Sequence, residues 1–104
     1  MSEARRCPVP GCGRALGTTR RGDPWAFCRA HWFALGLAEQ RKLFTAFRSW
    51  QRCERAYLRA KAEGVANLKG HMDARAIAIR EYLAVRDDCI RIVAPASQQM
   101  EVAL

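Results

Sequence analysis

Four metal-binding side chains stand in two close pairs near the start of this chain. Cys7 and Cys12 enclose four residues, Cys28 and His31 enclose two, and fifteen residues separate the pairs. No other feature constrains the fold as strongly. Cys7-Pro8-Val9-Pro10-Gly11-Cys12-Gly13 holds two prolines and two glycines, which forbid a helix and dictate tight turns. Such a turn brings two thiolates to one point with backbone N–H groups free to bond their sulfurs. Cys28 and His31, at i and i+3, share one face of a short helix running from Cys28 to Leu35 and ending at Gly36. The spacing predicts one Zn²⁺ held by Cys7, Cys12, Cys28 and His31. The alternative is four turn or core residues in register by chance, which two close pairs flanked by Pro/Gly turns disfavour. A closed Cys3His set leaves no coordination position for a substrate, so no metal catalysis is expected.

The remaining sequence fits this expectation. Five cysteines are an odd number, and no apolar export core follows Met1-Ser2-Glu3-Ala4-Arg5-Arg6. A reducing cytoplasm is therefore expected, where clustered thiols bind metal more often than they form disulfides. No apolar run approaches the length of a membrane span. Between the ligand pairs, Arg14 to Arg21 reads as a short hairpin and Gly22-Asp23-Pro24 as a turn. Trp25-Ala26-Phe27 alternates large, small, large, as a short strand would. Arg5, Arg6, Arg14 and Arg29 would help keep nearby thiols deprotonated.

A cysteine turn, a hairpin and a helix supplying the last two ligands resemble a treble-clef zinc finger. The block Cys28-Arg29-Ala30-His31-Trp32-Phe33-Ala34-Leu35 also resembles small zinc proteins encoded by bacteriophages and prophages. Many of these carry Cys-x-x-His-Trp-Phe/Tyr-x-Leu-Pro after an upstream cysteine pair, followed by a helical tail. The likeness covers about residues 7–50 and implies an origin more than an activity. Gly36 stands where that block has proline, which alters the helix junction and leaves the ligands intact.

A long helix is expected from Leu37 to about Glu63, with Gly36 as N-cap, Glu39 at N3 and Gly64 as its stop. At about 100° per residue, Leu43, Phe47, Trp50, Tyr57 and Leu58 form one apolar stripe, most simply a core face. Glu54 sits within it and Arg86 comparably within the stripe of the helix that follows; each is a candidate partner for the other or faces a second subunit, although register sets Glu54 nearer Arg80. A second long helix is expected from about His71 to Val93, with Met72, Ala76, Ile79, Leu83, Ile90 and Val93 on one face. Pro95 ends it. His71 reads as a cap or surface residue, and Cys53 and Cys89 lie too far from level for a disulfide.

The expected architecture is mainly α. A small treble-clef-like zinc module (1–36) precedes a long antiparallel helical hairpin (37–95) packed with it as one unit, and 96–104 form a tail. Two helices with one apolar stripe each close a limited core, so a homodimer through the hairpin is one expectation.

The formal net charge is +8, and it belongs to the first 64 residues, because residues 65–104 carry five acidic and five basic side chains. Arg41, Arg48, Arg52, Arg55 and Arg59 fall within an arc of about 60° on the first long helix. Together with Arg5, Arg6, Arg20 and Arg21 on the finger, they form a candidate nucleic-acid-binding surface. A plain solvated face is the competing reading. No Ser/His/Asp set, paired-carboxylate site or phosphate-cradling glycine loop occurs, so no enzyme is expected. The expected function is a regulatory nucleic-acid-binding protein of a phage or mobile element. The alternatives are an adaptor or inhibitor that binds an acidic host protein, and a self-associating structural protein.

Overall fold

In this computed structural model, the structure describes residues 5–18 and 25–94. Three helices follow one another: α1 (Arg29–Ala34), α2 (Leu37–Ala62) and α3 (Lys69–Val93). No regular strand occurs among the described residues, and the chain is mainly α. The helix bounds follow local chemistry. Gly36 offers its carbonyl to the Gln40 N–H as α2 begins, and the Glu39 carboxylate lies 2.9 Å from where a Cβ on Gly36 would stand. A bare glycine is what lets Glu39 fold back over the helix start.

At the far end of α2 the Gly64 N–H donates to the Lys61 carbonyl and the Val65 N–H to the Ala60 carbonyl. Gly64 has φ +75°. These two bonds around a left-handed glycine make a Schellman cap. The second long helix begins at Lys69, two residues before its expected start, because Asn67 Oδ1 accepts the Lys69 N–H at 3.0 Å and organises the turn.

The chain divides into two compact units: Met1–Gln40 with Asp88–Leu104, and Arg41–Asp87. The buried residues of the first are Cys7, Val9, Phe27, Cys28, Leu35, Cys89 and Ala94. Its helices are tied by Gln40, whose Nε2 donates to the Trp32 carbonyl at 2.8 Å and to the Leu35 carbonyl at 3.4 Å. Gln40 thus serves the unsatisfied end of α1 from the first turn of α2. Trp25 and Trp32 pack at 5.8 Å between ring centroids.

The second unit is an antiparallel pair formed by α2 and α3. Its seam on α2 is Leu43, Ala46, Trp50, Cys53, Tyr57 and Ala60, in steps of three and four. On α3 it is Arg75, Ala78, Tyr82 and Val85. Phe47, Trp50 and Tyr82 form an aromatic cluster with centroids 5.3–6.0 Å apart. The seam differs from the predicted stripes. Leu58 is exposed, and so are Met72, Ala76 and Leu83. Alanine and cysteine let the two helices approach because they are small, while Trp50, Tyr57 and Tyr82 supply contact area.

Glu54 pairs with Arg75 at 2.5 Å, and the Arg75 guanidinium lies over the Tyr57 ring. Neither Arg80 nor Arg86 takes the role expected of it. The pairing of Trp50 with Tyr82 and of Glu54 with Arg75 sets a register that brings Glu54 level with the 75–78 segment. Cys53 and Cys89 form no disulfide. Asp87 and Asp88 are exposed; Arg91 pairs with Asp88.

Candidate metal centre

The first two ligands come from a tight knuckle. The Cys7 N–H donates to the Arg14 carbonyl at 2.8 Å and the Leu16 N–H to the Arg5 carbonyl at 2.7 Å. Arg6 and Ala15 face each other as an antiparallel bridge. Between these rungs the Cys12 N–H donates to the Val9 carbonyl, while Gly11 and Gly13 adopt φ +82° and +63°. A left-handed glycine on each side of Cys12 turns its sulfur back towards Cys7. The Arg6 guanidinium closes the outside of the turn on the Gly13 carbonyl at 2.8 Å.

The predicted hairpin over Arg14 to Arg21 lies partly outside the described residues. Arg14 to Leu16 pair backwards with Arg5 to Cys7, and the Gly17 carbonyl accepts the Trp25 N–H. Residues 19–24, which include the predicted Gly22-Asp23-Pro24 turn, lie outside the described residues. Trp25-Ala26-Phe27 forms a bend rather than a strand. Its inward residue, Phe27, is 1% exposed and is among the largest fully buried side chains.

The second pair comes from α1. Cys28 is its N-cap, in extended conformation, and His31 follows one turn later on the same face. All four ligand atoms lie within 4.8 Å of one another. His31 presents Nδ1, which lies 3.2 Å from Cys28 Sγ and 3.4 Å from Cys7 Sγ. Cys12 Sγ lies 3.7 Å from Cys28 Sγ. These edges decide between a chance cluster and a coordination polyhedron. A tetrahedral ion with metal–sulfur bonds of about 2.3 Å and metal–nitrogen bonds of about 2.0 Å has S···S edges near 3.8 Å and S···N edges near 3.5 Å. Three of the six edges lie near these values and none exceeds 4.8 Å, so Cys7, Cys12, Cys28 and His31 can hold one metal ion. Among the described residues no second His/Cys/Asp/Glu group of this kind occurs, and His71 has no such companions.

The thiols are not equivalent. Burial pushes the Cys7 thiol up, against the backbone amides that favour its thiolate. Burial also opposes ionisation of Cys28, but the backbone amide of His31, then Cys12 and Cys7, outweigh it, and the Cys28 thiol falls below its ordinary value. None of those amides makes a full capping hydrogen bond to the sulfur. The pull comes from amides and neighbouring sulfurs, not from the arginines expected to supply it. Arg29 instead lies over the Phe33 ring at 5.8 Å.

The arginine candidates divide by position. Arg41, Arg48, Arg52, Arg55 and Arg59 are all exposed on α2. Among the described residues none of the five forms an ion pair, and Arg48 lies over the Phe44 ring at 5.1 Å. Arg5 and Arg6 are exposed on the knuckle. Arg20 and Arg21 lie outside the described residues. The contact between Arg48 and Phe44 was not foreseen, although their i, i+4 spacing was its signal. No helix of the described residues is long and apolar enough to cross a membrane. Comparison with known proteins finds no family model, curated protein or solved structure that matches the chain.

Proposed function

We propose that this is a small zinc-stabilised protein that binds nucleic acid through the arginine face of α2. The donor set argues for zinc. Three thiolates and one imidazole in a closed tetrahedron suit a d¹⁰ ion with no geometric preference of its own. A cysteine knuckle followed by a helix carrying Cys28 and His31 is a treble-clef-like arrangement. The likeness of the 28–35 block to phage zinc proteins supports a mobile-element origin. The ion is structural in this reading, because the four protein ligands leave no position for a substrate.

One observation carries the nucleic-acid reading: five exposed arginines on one helical arc with no acidic partner among the described residues. A solvated face normally mixes signs. From Arg41 to Arg59 the ladder rises about 27 Å, and a DNA strand presents a phosphate about every 3.4 Å of axis. Several phosphates therefore come within reach of forked guanidinium groups. The contacts are to the backbone, so binding is largely independent of sequence.

Salt titration tests this. If about four phosphates are neutralised, the slope of log K against log salt is about −4, and affinity falls by roughly two orders of magnitude between 50 and 200 mM salt. Replacing Arg48, Arg52 and Arg55 by Gln should flatten the slope by about 3. Absence of binding to duplex or single strands at low salt would remove the reading and leave an acidic protein partner for the same face.

A further inference from the structure

We propose that a second copy of this chain covers an exposed apolar face of the Arg41–Asp87 hairpin. Stepping about 100° per residue from each seam, Phe44 and Leu58 on α2 lie to one side, and Met72, Ala76, Ile79 and Leu83 on α3 lie to one side. For two antiparallel right-handed helices, the same rotational sense from the seam leads to the same side of the pair. The Glu54–Arg75 contact agrees, since Glu54 steps that way from the α2 seam and Arg75 stands on the same edge of the α3 seam. The six residues therefore share one broad face. Phe44, Leu58, Met72 and Leu83 are 45%, 52%, 53% and 37% exposed. The opposite side carries Lys42, Thr45, Ser49, Ala74 and Glu81 around one large exposed apolar side chain, Ile77.

Three observations favour a second copy as the occupant. The unit's own core is small: only Leu43, Ala60 and Ala78 are fully buried within Arg41–Asp87. A hairpin of that size with so little interior needs a further layer. The face also carries both signs of charge in its apolar setting. Glu54 is there, held by Arg75. Arg86 is there too, with a buried Nε that lacks a hydrogen-bond partner and only a 3.7 Å approach to Asp87. A two-fold interface must be self-complementary, and a patch holding both signs meets that condition. Finally, the arginine ladder borders this face at Arg48, which lies over Phe44, while Arg41, Arg52 and Arg59 stand about a quarter-turn from its centre, so most of two ladders stay apart when the faces meet. The size is adequate. About 33 Å of paired helix, roughly 20 Å wide, offers a face comparable to the ~800 Å² per partner of a standard interface.

This inference does not rest on the nucleic-acid reading, and its test contains no nucleic acid. The metal-loaded full chain, nuclease-treated and in about 1 M salt, is examined by sedimentation velocity. Apolar association survives high salt whereas phosphate-bridged association does not. The expected result is a species of about twice the 11.7 kDa chain mass. The Leu58→Glu/Leu83→Glu double variant should be monomeric, and Arg52→Gln should leave the dimer intact. A wild-type monomer at ~100 μM overturns the proposal. So does a double variant that remains dimeric, because the interface then lies elsewhere. Should the double variant lose its helical circular dichroism, Leu58→Gln serves in its place. At least a tenfold weaker dimer is expected, and an unchanged dissociation constant overturns the proposal.

Discussion

At the scale of single residues, the centre depends on two kinds of side chain: those that reach the ion and those that make the reach possible. Cys28 belongs to the first kind. It starts α1, and its thiol ionises more easily than an ordinary cysteine because nearby amides and sulfurs outweigh burial. Cys28→Ser removes one ligand and should reduce bound zinc from about one per chain to a small fraction, as read by metal analysis after dialysis. Gly11 and Gly13 belong to the second kind. No atom lies within 4 Å of a Cβ placed on Gly13, so its replacement by alanine meets no clash, only the left-handed backbone. That costs about 1–2 kcal/mol, and competition with a chromophoric chelator should show a roughly 5- to 30-fold weaker metal affinity for Gly13→Ala. The ligand set was legible because metal chemistry writes itself in residue identity and spacing. The knuckle's backbone pairing was not, because the rungs between Arg5–Cys7 and Arg14–Leu16 are main-chain bonds that any side chain permits.

At the scale of elements, the bounds of α2 were readable because glycine marks both ends. Gly64 holds φ +75° in its cap, and Gly64→Ala should destabilise the protein by about 1 kcal/mol, seen as a lower thermal midpoint with the same metal content. The face that α3 buries was harder to read. Its stripe of Met72, Ala76, Leu83 and their neighbours is more hydrophobic than the seam of Arg75, Ala78, Tyr82 and Val85, and yet it is the more exposed. Hydrophobicity ranks side chains one at a time, whereas helix pairing selects small residues for close approach and aromatics for contact area. Arg75 illustrates the point: it enters the seam because Glu54 and the Tyr57 ring both receive it. The Glu54–Arg75 pair is about one-third exposed, so solvent screens it. Glu54→Gln should cost no more than about 1 kcal/mol in chemical denaturation, and less in high salt.

At the scale of the whole molecule, charge and metal divide the work. The balance of residues 65–104 against the basic first 64 was visible in the sequence, and the five arginines of α2 are exposed as the helical spacing predicts. The division into units was not visible, because it depends on where the end of α3 returns rather than on any change in composition. Metal occupancy should be lost cooperatively as pH falls, since three thiolates and an imidazole must be deprotonated together to bind. The expected outcome is a release curve steeper than a single-proton titration on acidification, monitored with a zinc-responsive dye.

The double hydrogen bond from Gln40 to the end of α1 has a consequence in time rather than in shape. Six residues are too few to persist as a helix in water. Here α1 starts at Cys28, one of the four candidate ligands, and finishes on a side chain of the next helix. Its amides, Trp32 and Leu35 among them, should exchange with solvent hydrogen at a rate set by how often the ion leaves. Slow exchange there would clock the ion's residence on the protein, read from two N–H signals far along the chain from the knuckle.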